Sequence, residues 1–429
     1  MSGEHSGHSR PGGATGRWQP AIGPAARRKL CTDCGLSRTA TPQRCGRACQ
    51  FLRPDYPTLE ARTHGRCRDP ERGDELHFGV YRSMYRAALR TPAAGAQWTG
   101  ITTRLAERSL ASGRVDAVLT TQGAADDRWR PEPVIVDDAS ELAACRGMRM
   151  GYAPLLALLE PALRAGYTRL GVIALPCQVY PLRALEQELG LEHLEIIGTP
   201  CADNTTTEQF HRFLALLTDR PEQVSYLEFR PDYHVELRLD DGSLREIPFL
   251  QLPISRLPKD FWPLTCRACV DYTNALADIT VGYMAGRGRQ WVLVRNERGG
   301  ELLELLGDEV ELEAPTSAGR RHKPVQGFID NTERAADGLP TRGMPNWLRP
   351  LFARLMPRIG PRGLELARAR LEMKAAEALI QLRAQAPRRL PTMIPDHIRA
   401  LVRPYRVPSL DSAETSPEDA SGPRGGDRS

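Results

Sequence analysis

Two hydrophobic periods alternate between residues 95 and 230. The segments "WTGITTRLAERSLASG", "YAPLLALLEPALRAG", "QVYPLRALEQELG" and "TEQFHRFLALLTD" repeat apolar positions every three or four residues and predict helices. Between them "VDAVLTT", "RLGVIALP" and "LEIIGTP" are short apolar runs that predict buried strands. Strand–helix–strand units of this length predict an α/β fold, with a mostly parallel central sheet and right-handed crossovers. Next, "YLEFR", "YHVELRL" and "REIPF" flank the turn "DDG", which predicts an antiparallel hairpin insertion. "DITVGYM" and "WVLVRNE" predict two more strands near 278–297. "PNWLRPLFARLMPRIG" and "PRGLELARARLEMKAAEALIQLRAQ" predict a helical C-terminus.

Where the periods fail, the chain divides. Residues 1–26 and 408–429 are Gly-, Ser- and charge-rich, and predict disordered tails. Residues 27–90 form an N-terminal cysteine-rich segment, 91–300 the α/β domain, 301–344 a linker and 345–407 the helical region. No uninterrupted apolar run reaches about 18 residues, so no membrane span is predicted. The N-terminus has no apolar stretch of the secretory kind, so the expected location is cytoplasmic. Thiols stay reduced there, and ten cysteines then ask for metal or redox chemistry rather than disulfides.

The net charge of +5, almost all from arginine, changes the list of partners. No basic recognition helix or aromatic-interleaved strand stands out, so nucleic acid is not an expected partner. An acidic protein fits such a surface. In the first C-terminal helix Trp347, Leu348, Leu351, Phe352 and Leu355 recur at helical spacing, with Arg349, Arg354 and Arg358 between them. Such a helix lies on a membrane surface or a hydrophobic ligand, or packs on its own domain or on another copy of the chain.

The cysteines form two constellations. Cys31, Cys34, Cys45 and Cys49 read Cys-x2-Cys-x10-Cys-x3-Cys in a stretch with little core of its own. Four thiolates there suit a zinc ion or an iron–sulfur cluster, and spacing alone does not decide. Cys177 and Cys201 end successive predicted strands, on the carboxyl edge where open α/β sheets place their sites. Cys266 and Cys269 add a Cys-x-x-Cys from a later loop, and a redox cluster beside a cofactor explains that convergence. Cys67 and Cys145 have no partner at ligand spacing and read as plain thiols.

Several segments occur together and in order: "CTDCGLS", "ACQFL", "HGRC", "HFGVY", "GAQWTGITT", "LPCQVYPLRALE", "GTPCADNTT", "CRACVDYTNALADITVGYM", "VRNERG" and "GPRGLELAR". Over residues 27–405 this order resembles the beta-subunit family of deazaflavin-coenzyme hydrogenases and dehydrogenases. The likeness is greatest to its flavin and iron–sulfur reductases of chlorophyll metabolism. The resemblance implies FAD, two 4Fe–4S clusters and reduced ferredoxin as donor. The family's first cluster motif is Cys-x2-Cys-x2-Cys with a fourth cysteine further on. Cys31, Cys34 and Cys49 match, Ser37 departs from the third position, and Cys45 is the replacement ligand we expect. The second cluster's ligands match Cys177, Cys201, Cys266 and Cys269.

The family's flavin site matches "GAQWTGITT", a glycine-bounded loop entering a helix N-terminus whose amides and threonines can meet a pyrophosphate. Gln97, Thr99, Gly100, Thr102, Thr103 and Asn274 are its candidates here. Asp203, His77, Tyr272 and Asp278 lie in matched segments and are the candidate proton donors; His77 reads equally as a structural histidine and Asp278 as an ion-pair residue. The implied substrate is a chlorophyllide-type tetrapyrrole, reduced at an 8-vinyl or a 7-hydroxymethyl group. A composition rich in Arg, Ala, Leu and Pro with four lysines marks a GC-rich bacterial coding sequence, and favours the biosynthetic 8-vinyl reduction. An electron-transfer subunit acting on a deazaflavin coenzyme is the alternative, and a zinc-stapled binding module a third reading.

Overall fold

The computed structural model describes residues 16–23, 30–282 and 288–407. The remainder of both predicted tails lies outside them. Twelve strands build the two main sheets: β1 Arg17–Trp18, β2 Ser83–Leu89, β3 Ala117–Gly123, β4 Pro131–Val136, β5 Arg169–Ala174, β6 His193–Gly198, β7 Val224–Phe229, β8 His234–Leu239, β9 Leu244–Pro248, β10 Ile279–Gly282, β11 Gln290–Val294 and β12 Val310–Glu313. Nine of them form the central sheet in the order β1-β4-β3-β5-β6-β10-β11-β2-β12.

The α/β architecture expected from the alternating periods is present. Parallel pairing is confined to β3, β5, β6 and β10, the strands that alternate with helices. Short connections turn the chain back on both flanks, so β1, β4, β11, β2 and β12 pair antiparallel and the sheet is mixed. β5 is nearly all apolar because both of its faces are covered. One face packs on the helix Pro176–Leu185 and the C-terminal helices; Ile101, Leu105 and Ala106 of the helix Ile101–Ala111 cover the other. The predicted hairpin is present, and its three segments β7, β8 and β9 form a separate antiparallel sheet over Phe210, Phe213 and Leu214.

Two sequence boundaries move. Residues 17–18, read as tail, pair with β4, and Trp18 packs against the core. Residues 301–344, read as a linker, carry edge strand β12 and the helix His322–Ala336, whose Val325 and Ile329 are buried. Their polar composition masked a single apolar stripe. The helix Leu364–Gln385 falls in the predicted helical region and packs into the core. Its small residues Ala367, Ala369, Ala375, Ala376 and Ala378 are all buried, and it lies against the thiol-bearing helix Leu264–Arg267.

Candidate redox centre

The first four thiols are gathered by a tight turn. Asp33 sits at φ +48°, and its amide donates to Cys31 Sγ at 3.2 Å. Arg38 holds the Asp33 carboxylate from the far side of the turn, with Nε at 2.8 Å. Gly35, at φ +109°, lies so close to the Pro154–Ala157 backbone that a Cβ would meet Ala157 N at 2.4 Å. That approach lets the Leu156 amide donate to Cys34 O at 2.8 Å. Cys45 lies in the helix Arg44–Ala48 and Cys49 caps it. Burial pushes the Cys34 thiol up to about 12, and Cys45, Cys49 and Cys31 add to the shift, which sets the four as neighbours.

The second set comes from three separated segments, as expected. Cys177 is in the first turn of the helix that follows β5. Cys201 lies three residues beyond β6, fixed by its amide on Tyr272 O at 2.9 Å. Cys266 and Cys269 share one turn, Cys269 N donating to Cys266 O at 3.1 Å. Burial raises all four thiols, and Cys201 is further raised by Cys266, Cys177 and Cys269.

The two sets abut. Thr32, between Cys31 and Cys34, hydrogen-bonds Cys177, and Cys34 acts electrostatically on the same thiol. Gln50, next to Cys49, donates Nε2 to Cys269 Sγ at 3.7 Å. Tyr152 Oη is 3.5 Å from Cys266 Sγ. Sequence reasoning missed all three neighbours; Thr32 and Gln50 could have been found from their adjacency to cysteines, whereas Tyr152 carries no such signal. No cysteine is joined in a disulfide. Among the described residues no three His, Cys, Asp or Glu side chains close on a single metal ion. The donor chemistry fits iron–sulfur clusters: two groups of four thiols, half-buried or buried, whose protons iron would displace on binding.

The flavin candidates separate. Thr99 Oγ1 accepts from Leu89 N at 3.0 Å and lies 3.2 Å from Gln290 Oε1, which also accepts from Ile101 N at 3.0 Å. Gln97 donates to Leu227 O at 3.0 Å. These two therefore brace the loop against β11 and β7. Gly100, at φ +92°, permits the turn into the helix, Thr103 is buried and Thr102 half-buried. No hydrogen bond engages the Thr102 and Thr103 amides among the described residues, so those two donors fit an anion. Asn274 stands elsewhere, at φ +60° against the ends of β5 and β6, with Nδ2 on Ala174 O at 2.8 Å and Thr199 O at 3.3 Å. Its Oδ1 is buried without a hydrogen-bond partner, an acceptor left over for a bound group.

The four proton-donor candidates occupy different surroundings. Asp278 is fully buried, 2.7 Å from Arg183 Nη2 and 3.0 Å from Arg298 Nε, and accepts from Ile196 N at 2.7 Å. Burial alone would raise its pKa, yet the two guanidiniums hold it lowered. His77 pairs with Glu372 at 3.0 Å, which also receives Arg321 and Tyr405 and so ties the N-terminal segment to the long helix. Tyr272 packs with Phe78, Trp291 and Leu371. Asp203 alone of the four acts on the thiols, through Cys201 and Cys266, and its Oδ1 receives Lys374 Nζ at 2.5 Å. Burial opposes the Lys374 charge, but Asp203 and Glu377 outweigh it and raise its pKa. Lys374, one of four lysines and alone in an Ala/Leu-rich helix, is the polar residue that composition could have flagged.

Where β11 ends and β2 begins lies a cavity of about 570 Å³, lined in part by His64, Arg66, Tyr81, Arg82 and Arg295. Arg295 is buried and bonds only neutral acceptors: Phe78 O, Val80 O, Thr273 O and Thr280 Oγ1. Burial lowers its pKa to about 10. His64 donates Nε2–H to Ala275 O at 2.8 Å; burial lowers its pKa to about 3, and Nδ1 has no partner. No ion pair involves Arg82 among the described residues. The loop Cys269–Ala275 runs from the second thiol set to this wall.

Two family models match this fold. Residues 84–160 match the N-terminal part, and residues 167–318 the C-terminal part, of the coenzyme F420 hydrogenase/dehydrogenase beta subunit. The chain is an electron-transfer oxidoreductase and belongs to that family, whose members typically bind iron–sulfur clusters and flavin. It is 36% identical to an uncharacterized protein of Nostoc sp. over 90% of this chain and 97% of that one. It is also 36% identical to the chloroplastic 7-hydroxymethyl chlorophyll a reductase of Oryza sativa, over 87% of this chain and 82% of that one. A chain of the F420-reducing [NiFe] hydrogenase complex from Methanosarcina barkeri shares the fold, with TM-score 0.52 and 19% identity, over 70% of this chain and 91% of that one.

Proposed function

We propose that the protein reduces the 8-vinyl group of a divinyl chlorophyllide-type pigment to ethyl, with electrons from reduced ferredoxin. The observation that carries this reading is the contact between the two four-thiol sets through Thr32–Cys177 and Gln50–Cys269. Two adjacent clusters suit a one-electron donor, and bound FAD converts single electrons into a two-electron reduction. Cys31, Cys34, Cys45 and Cys49 hold one cluster, and Cys177, Cys201, Cys266 and Cys269 the other. The Thr102 and Thr103 amides hold the flavin's pyrophosphate.

The arginine-lined cavity receives the pigment's free carboxylate. Arg82 enters no ion pair among the described residues, and buried Arg295 adds a positive charge to the wall, which also carries Glu297. A free-acid chlorophyllide has such a carboxylate, whereas an esterified chlorophyll does not, and this supports the vinyl reading. Asp203, backed by Lys374, supplies the proton that completes the ethyl group.

A second reading, 7-hydroxymethyl chlorophyll reduction, is favoured by the likeness to the rice enzyme. Anaerobic turnover with reduced ferredoxin, offered divinyl chlorophyllide and 7-hydroxymethyl chlorophyll in parallel, separates them. Ethyl product from the first pigment is expected. Turnover of the second alone overturns the proposal, and turnover of neither points to a deazaflavin-linked electron-transfer subunit.

A further inference from the structure

The segment 338–364 contains Arg342, Arg349, Arg354, Arg358 and Arg362 and no Asp or Glu. Elsewhere the chain's arginines are mostly matched to carboxylates, as in Arg66–Glu75, Arg169–Asp116 and Arg321–Glu365. None of these five enters an ion pair among the described residues. Arg349 and Arg362 reach only backbone carbonyls.

The same segment exposes apolar surface. Trp347 is 77% exposed, Leu351 54%, Ile359 57% and Leu339 51%. In the helix Arg349–Ile359, Leu351, Arg354 and Arg358 recur at three- and four-residue spacing, and Trp347 stands one turn before Leu351. The opposite side is engaged: Ala353 is buried, the helix rests on the turn Phe249–Gln251, and Tyr233 donates to Pro361 O. The sequence expected one apolar face; packing consumes Phe352 and leaves Trp347 and Leu351 outside.

We propose that Trp347, Leu351 and Ile359, with the unpaired arginines around them, dock this protein on an anionic lipid bilayer. A tryptophan and leucines framed by arginines match the apolar–polar boundary of a membrane, and unpaired guanidiniums match its phosphates. An acidic protein or a second copy of this chain is the competing occupant, and the vesicle test separates both from a bilayer. The inference does not depend on the substrate proposed above.

The test is flotation of the intact holoprotein with vesicles rich in phosphatidylglycerol, against vesicles of phosphatidylcholine alone. Binding to the first and not the second is expected, weakening as salt rises. Trp347→Ser with Leu351→Ser, and separately Arg354→Glu with Arg358→Glu, are expected to lower the bound fraction about tenfold. Unchanged flavin absorbance and melting temperature would show that both variants fold. If either variant does not fold, quenching of wild-type tryptophan fluorescence by brominated phosphatidylglycerol decides the matter. Absence of both flotation and quenching overturns the proposal. So does a wild-type oligomer, seen by light scattering, that Trp347→Ser with Leu351→Ser returns to monomers while vesicles capture nothing.

Discussion

Arg183 and Asp278 face one another at 2.7 Å with neither side chain exposed to solvent. Arg183 comes from the helix that carries Cys177, and Asp278 immediately precedes β10, so the pair clamps the second thiol set to the sheet. Breaking a buried pair by removing one charge leaves the other uncompensated, and costs about 3–5 kcal/mol. Asp278→Asn is therefore expected to lower unfolding free energy by about that much. In denaturant titration, Arg183→Met combined with Asp278→Asn should recover part of the loss. A residue acting as proton donor would behave otherwise: its Asn variant would keep full stability and lose turnover.

Cys45 is set beside Cys34 by the helix Arg44–Ala48, and it is the more buried of the two. Cys45→Ala should cost one cluster, a drop of about four iron atoms per chain, because each 4Fe–4S cluster is held by four cysteines. Cys67→Ser, changing an exposed thiol, should cost none. Iron analysis of protein purified without oxygen measures both. Full iron and full activity in Cys45→Ala would transfer the fourth position to Ser37 or to water.

The parallel core was legible because β3, β5 and β6 each carry a short apolar run and alternate with amphipathic helices. The two cysteine sets were legible because a thiol-rich stretch without core needs a staple, and because Cys177 and Cys201 each follow a strand. The linker reading of 301–344 failed for a physical reason. The helix His322–Ala336 buries a narrow stripe, Val325 and Ile329, and is otherwise polar. The arginine cavity was invisible for another. His64, Arg82 and Arg295 are brought to one wall by the pairing of β2 with β11, a contact between strands about two hundred residues apart in sequence.

Arg82 lines the cavity and enters no ion pair among the described residues, so its removal should be felt by an anionic ligand and by little else. Arg82→Ala is expected to raise KM for a free-acid pigment about fivefold, the size of a partly exposed ion pair, with kcat unchanged. The pigment's methyl ester should bind wild type and variant alike. Equal losses for acid and ester would remove the carboxylate from this cavity and return the choice of pigment to the parallel assay.

Glu228 offers a pH dependence remote from the thiols. It is buried on β7, which lifts its pKa to about 7; a hydrogen bond from Tyr226 opposes that shift and Glu236 adds to it. Unfolded, the same carboxyl titrates near pH 4.3. Between these values the folded chain binds the extra proton, so stability is highest below about pH 4.3 and declines as pH rises toward 7. Across that interval the loss amounts to about 4 kcal/mol at most. Glu228→Gln cannot titrate and should flatten this part of the profile, leaving the variant more stable than wild type at pH 8. Melting temperatures from pH 5.5 to pH 8 read the difference; parallel profiles for the two proteins would show that Glu228 is ionised throughout.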